Sequence, residues 1–291
     1  MIDPIAEKRR KRRKVVGFGF TVLCVGATLL CALMLVVLVV SIVREGYAWL
    51  SWDFLNNFPS RHAEDVGIKT ALLGSLWLTG LTALISLPVG VGAAIYLEEY
   101  ASDNRWKKLV QVNIANLAGV PSIVYGILGL GLFVQWMAMG RSIIAGALTL
   151  SLVVLPIIIL ATQEALRGVP DSIRHGSYAL GATRWQTVRL QVLPAAIPGI
   201  MTGIILAMSR AIGEAAPIVA VGGAAYVGFV PEGLKDQFTA LPIQIYMLAS
   251  EPKAELHEVA AAAIIVLLIV LVCMNALAVF LRYRFGKRIK W

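Results

Sequence analysis

The sequence predicts an all-α, polytopic membrane protein with six transmembrane helices. Of its 291 residues, 58% are hydrophobic and 15% charged, and the mean hydropathy is +0.78; soluble domains carry roughly 25% charged residues. The apolar residues gather into six runs, each long enough for the ~20-residue helix that crosses a bilayer. Lys and Arg are unevenly shared between the segments joining the runs: 19 fall on one side, six on the other and Arg210 within a run, accounting for all 26. That bias predicts both termini in the cytoplasm.

The chain opens with a basic cytoplasmic tail, residues 1–14, that ends in KRRKRRK. The run at 15–43 exceeds the roughly 7–15 residues of a signal-peptide core, so it reads as an uncleaved first span. Residues 44–67 carry Tyr47, Trp49, Trp52 and Phe54, the aromatics of a membrane interface, and are expected outside. The remaining core, 68–282, holds five further spans. In the second run, Ile68 to Leu97, Pro88 lies between Gly80 and Gly90, where a kink or local unwinding is expected. A charged inner loop, Glu98 to Lys108, follows.

The third run, Leu109 to Met139, contains Gly119 and Pro121, a predicted break among small residues that permit close helix approach. Pro156 marks a second expected kink in the fourth run, Ile143 to Ala165. The second inner loop occupies 167–191, the fifth run Val192 to Val221, an outer segment Ala224 to Glu255, and the sixth run Glu258 to Leu281. A basic cytoplasmic tail, 283–291, ends the chain.

Composition also excludes functions. The net charge of +9 is scattered in short groups between apolar runs, so it sets topology and predicts no nucleic-acid partner. Cys24, Cys31 and Cys273 lie inside apolar runs without paired or metal-ligand spacing, so no disulfide framework or metal site follows. His62 and His257 are isolated. His175 beside Ser177 is the closest pairing for catalysis, and its loop is better explained by docking.

That loop, Pro170 to Gln191, reads as a short helix lying across the inner surface, capped by Asp171 or Ser172, with a tight turn at Gly181. It has too few apolar residues to be stable unaided and needs a protein partner or the membrane lipid surface. From His175 to Pro194 it reads HGSYALGATRWQTVRLQVLP, which resembles the EAA loop of ABC-importer permeases. His175, Gly176 and Ser177 occupy the opening where that family has Glu-Ala-Ala, Gly181 is its glycine, and Leu193 with Pro194 closes it. His175 in place of Glu weakens the case for a salt bridge from this position. NLAGVPSIVYGILGL from Asn116, SRAIGEAAP from Ser209 and LPVGVGAAIYLEEY from Leu87 are similar to the PstA-type permeases of phosphate-specific ABC importers.

The resemblance implies a type I, MetI-like permease fold in the cytoplasmic (inner) membrane, transporting phosphate by alternating access. It implies a PstC-like second permease subunit, two PstB-like ATPase subunits and a PstS-like extracytoplasmic phosphate-binding protein. The chain has no GxxxxGK[ST] phosphate loop, so ATP and Mg belong to the ATPase; no cofactor and no enzyme activity are expected of this chain. Docking onto the ATPase is expected from Ser177, Ala179, Leu180, Gly181, Ala182, Trp185, Leu193 and Pro194. Another oxyanion or small solute is the alternative substrate, because the EAA loop is shared by many importers.

Arg210 and Glu214 are four residues apart in the fifth run, so they share a helix face, and their charges must face protein or water. Two readings stay open: an ion pair locking the helix, or an anion-binding guanidinium held in position by Glu214. Arg167 is either the next residue on the anion path or a topology charge. Pro88, Gly119 and Pro121 are candidates for helix breaks that expose backbone amides to the anion. Tyr125, Gln135 and Gln163 are polar enough to line a path, and a helix–helix hydrogen bond explains each equally well.

Overall fold

The computed structural model describes residues 4–60, 62–223 and 227–286, and every described element is helical. Arg61 and the end of the basic tail, 287–291, lie outside the described residues. Helix α1 (Pro4–Gly46) runs without interruption from the basic tail through the first apolar run. Its apolar surface is left uncovered, and it packs only near its C-terminal end. There Gly46 sits so close to the backbone of Ala261 and Ala262 that a Cβ has no room, and Trp49 Nε1 donates to Glu258 Oε2 at 2.8 Å. Helix α2 (Trp52–Asn56) is a short interfacial turn capped by Ser51.

Helix α3 (Lys69–Ile95) continues as a wider π turn to Tyr100. It passes through Pro88 unbroken, correcting the break expected there. Gly90 lets Ile158 of the neighbouring span pack against the helix beyond the proline, and such neighbours tolerate the lost N–H. At Gly119 and Pro121 the third run does divide. Helix α4 (Arg105–Ala118) and helix α5 (Ser122–Gly129, continued as a π turn to Trp136) are bent by 102°. Pro121 lacks an N–H and disfavours helical backbone at Val120, so the ladder ends there.

Helix α6 (Ile143–Arg167) also continues through its proline, Pro156. Helix α7 (Asp171–Ala179) is the loop helix; Pro170, with no side-chain cap, precedes it, where Asp171 or Ser172 was expected to cap. Helix α8 (Arg184–Thr187) leads through a π turn at Val188–Val192 into helix α9 (Leu193–Gly213). The fifth run does not continue helically to Val221. It stops at Glu214, and helix α10 (Ala216–Val221) starts anew with Pro217 in its first turn, where the missing N–H costs nothing. Helix α11 (Leu241–Ser250) lies within the expected outer segment, and helix α12 (Ala254–Gly286) forms the last span.

Five described helical stretches are long and apolar enough to cross a membrane, six if the bent pair counts as one span. The core is α6, flanked by α3 and α9. Gly90 against Ile158 and Gly146 against Leu78 run in the same sense along α3 and α6, so these helices are parallel. Gly199 against Ala165 and Gly203 against Ala161 run oppositely, so α9 is antiparallel to α6. Small residues at these contacts replace the hydrophobic drive that lipid does not supply. Ser209 Oγ donates to Asn275 Oδ1 at 2.7 Å and Arg282 Nη1 to Thr202 Oγ1 at 3.1 Å, tying α12 antiparallel to α9. At the end away from α7, Phe238 and α11 fill the gap between α3 and α6, and Leu241 N donates to Ser75 Oγ at 2.8 Å.

Candidate substrate path and docking loop

The two broken runs meet at one place. Helix α5 packs on α10 with Gly126 facing Pro217, where a Cβ would stand 2.7 Å from the Pro217 Cα. Gly129 in turn faces Thr149 of α6 too closely for any side chain. Tyr125 Oη donates to Leu117 O at 2.8 Å, spanning the Gly119 and Pro121 break from one helix to the other.

Arg210 sits in the last turn of α9 beside this junction, close enough to act electrostatically on Tyr125. Its Nε donates to Glu214 Oε1 at 2.8 Å, with side-chain exposures of 44% and 14%. Glu214 is not on the helix as the spacing suggested. Its backbone is already extended, at φ −77° and ψ 114°, so the pair closes across the helix end. A cation there also meets the negative end of the α9 dipole. Among the described residues the Nη1 and Nη2 groups of Arg210 make no hydrogen bond, which leaves the forked face of the guanidinium available to an anion.

Arg167 lies elsewhere. Its Nη2 is 2.6 Å from Glu98 Oε1 and its Nη1 is 3.0 Å from Glu164 Oε1. Ala165, two residues away, is level with Gly199 of α9, so Arg167 stands roughly 20 Å along the bundle from Arg210 at 1.5 Å per residue. The structure brings Arg210, Glu214 and Tyr125 together and leaves Arg167 at the opposite end, already neutralised. Gln163 is buried near that end with its Nε2 unpaired, and Gln135 is exposed on the π turn after α5.

The loop at the Arg167 end has two faces. Gly181 takes φ +82°, with open space around its Cβ position, and turns the chain from α7 into α8, whose start is closed by the Thr183 and Gln186 capping box. Leu180 is 91% exposed, and Ala179 and Trp185 are exposed with it. With Ala182 and Ser177, Leu180 lines a shallow groove of about 330 Å³. Ser177 Oγ lies 2.8 Å from Thr187 Oγ1, holding α7 to α8. Leu193 packs inward against the cluster around Leu166 and Val192, with Pro194 in the first turn of α9, so both anchor the loop. Since Gly181 is constrained by backbone conformation and not by space, Gly181→Ala should cost roughly 1–2 kcal/mol in the docked loop. Retention of a bound ATPase during detergent purification measures it, and undiminished retention would show that the turn is not part of docking.

Sequence reading missed Glu98 and Glu99, which it assigned to a loop. They sit on the π turn that extends α3, with Glu99 buried, and they hold Arg167 and Arg174. Donating hydrogen bonds to Glu99 pushes Arg174 further above its ordinary value, so it stays charged. Two consecutive acids at the end of an apolar run were the available signal.

The family profile described as "Binding-protein-dependent transport system inner membrane component" matches residues 86–291. The chain belongs to this family. The probable ABC transporter permease protein YqgI of Bacillus subtilis is 38% identical over 67% of this chain and 67% of its own length. The phosphate transport system permease protein PstA 1 of Mycobacterium tuberculosis is 32% identical over 96% of this chain and 91% of its own. A chain of the crystal structure of a bacterial alginate ABC transporter, in complex with an alginate-bound periplasmic protein, matches with a TM-score of 0.66 over 93% of this chain and 94% of that one. At 15% identity that likeness shows the fold, the type I, MetI-like permease. As a member of the binding-protein-dependent family the chain is a multi-pass inner-membrane ABC importer permease, a non-enzymatic subunit that works with an ATPase and a substrate-binding protein.

Proposed function

We propose that this permease carries inorganic phosphate, as one half of an ATP-driven importer with a PstC-like second permease, two PstB-like ATPases and a PstS-like extracytoplasmic binding protein. The observation that carries the reading is Arg210, held through Nε by Glu214 at the junction of two helix breaks, with both Nη groups unengaged by the described residues. A guanidinium offers two parallel N–H donors to a tetrahedral oxyanion, and the planar fork holds them in register. The likeness to the PstA permease supports phosphate as that anion.

Both termini and the α7 loop lie in the cytoplasm in this reading, following the Lys and Arg bias. The exposed Leu180, Ala179 and Trp185 then dock on the ATPase, which holds ATP and Mg, and its closure rocks the spans between outward and inward access. Glu214 keeps Arg210 oriented in the empty state, and phosphate takes over part of that charge when it arrives. The test is ATP-dependent uptake of labelled phosphate into vesicles carrying this chain and its partners, with sulfate and molybdate as competitors. Uptake that needs this chain and ignores both competitors is the expected result. A bound ATPase without phosphate uptake would move the substrate to another solute.

A further inference from the structure

The loop helix α7 has no fully buried residue, and its apolar hold on the core cluster is the half-buried Ile173. Its fixed point is Arg174. The Nη2 of Arg174 lies 2.7 Å from Glu99 Oε1 and its Nε 3.3 Å from the same oxygen. Nη2 also donates to Leu166 O at 3.0 Å, and Nη1 to Val169 O at 2.7 Å, where α6 ends. One guanidinium therefore joins α7, the end of α6 and the π turn of α3. Glu99 is buried, with its side chain 6% exposed, and Arg174 is partly buried at 16%. Arg167 and Glu98 add a second, more exposed tie between α6 and α3.

We propose that Arg174 and Glu99 are positioning residues that weld the docking helix to α3 and α6, so that any displacement of the loop by the ATPase reaches both spans together. The proposal rests on the importer reading above. Alternating access needs the loop to push and then to pull. An apolar contact is non-directional and lets two elements slide, whereas a forked ion pair is held to one geometry and so transmits displacement in both directions. Because α3 and α6 are parallel and end side by side at Glu98, Glu99 and Arg167, a single strut moves them as one body. Burying an ion pair confers little stability over an apolar pair of the same volume, so the geometry and not the stability is its distinguishing property.

The experiment compares phosphate moved per ATP hydrolysed in proteoliposomes holding the complete complex. Glu99→Gln should leave the ATPase bound and active while this ratio falls about tenfold, the size of a typical coupling free energy. Arg174→Lys, which keeps the charge and loses the fork, should recover part of it. The double variant Glu99→Leu with Arg174→Met replaces the pair by apolar side chains, and it should assemble at wild-type yield with the ratio still low. A ratio unchanged in Glu99→Gln, or restored in the double variant, would overturn the proposal. If Glu99→Gln does not assemble, the double variant decides alone. A second readout does not depend on the substrate: spin labels at Tyr96→Cys and Ser172→Cys, both exposed, in a complex whose other cysteines are replaced. Their separation should be narrow and the same with and without ATP in the wild type, and broad in the double variant. A narrow separation in the double variant would also overturn the strut. Absence of phosphate uptake by the wild type would sink the phosphate reading while the label distances still decide this one.

Discussion

Arg210→Gln should abolish phosphate uptake while leaving the complex assembled. Glutamine is two atoms shorter, but its amide nitrogen stands where arginine has the Nε that donates to Glu214, so the α9 end is still closed. It loses the charge and the forked pair of Nη donors that no described residue engages. Two charge-assisted hydrogen bonds are worth about 3 kcal/mol or more together, which is roughly a hundredfold in anion affinity. Uptake at fixed phosphate should therefore fall by about that factor, with normal recovery of the ATPase on this subunit. If the pair only locks the helix, the result differs. The half-buried Glu214, 14% exposed, would then lose its countercharge and keep only a neutral donor, and the complex itself would be lost. Comparing uptake with assembly in the same preparation separates the two roles.

Gly126→Val should unfold the junction instead of blocking it. A Cβ at this position meets the Pro217 Cα at 2.7 Å and the Pro217 carbonyl oxygen at 2.9 Å, and backbone cannot step aside as a flexible side chain can. The valine must push α5 from α10 and, through Gly129 and Thr149, from α6. Overpacking of this kind costs about 3 kcal/mol or more where the neighbour is rigid. Thermal unfolding of the purified complex should move down by several degrees, with a matching loss of yield. Gly131 lies on the π turn that follows with no neighbour within 4 Å, so Gly131→Ala is the control and should be near neutral. Equal stability of the two variants would show that α5 and α10 do not bear on each other.

The uneven legibility of this chain follows from how far apart the deciding residues are. The break at Gly119 and Pro121 was readable because a proline removes its own N–H and restricts its own neighbour. Pro88 misled for a related reason: the local rule is the same, and only the packing of Ile158 on Gly90 distinguishes a proline that is carried through a helix from one that ends it. The stop at Glu214 had no glycine or proline at the position itself to announce it, and it set Arg210 against an extended residue instead of a helical one. The resemblance implies docking by Leu193 and Pro194, and the structure packs Leu193 into the cluster at the foot of α9 with Pro194 in that helix's first turn.

The sequence by itself determined that the chain lives in a membrane, that its apolar runs are long enough to cross it, where the short helix between the fourth and fifth runs lies and which family its loop belongs to. All of these rest on hydrophobicity, charge bias and turn chemistry within a few tens of residues. Only the tertiary structure decided that Glu99 takes Arg174 from 75 residues away, that Arg167 is neutralised at the opposite end from Arg210, and that two helix breaks share one junction. The bilayer sorts segments by their average polarity and is indifferent to which helix lies beside which. That choice is made by close contact of small residues between spans, and it alone brings distant charges within hydrogen-bond reach.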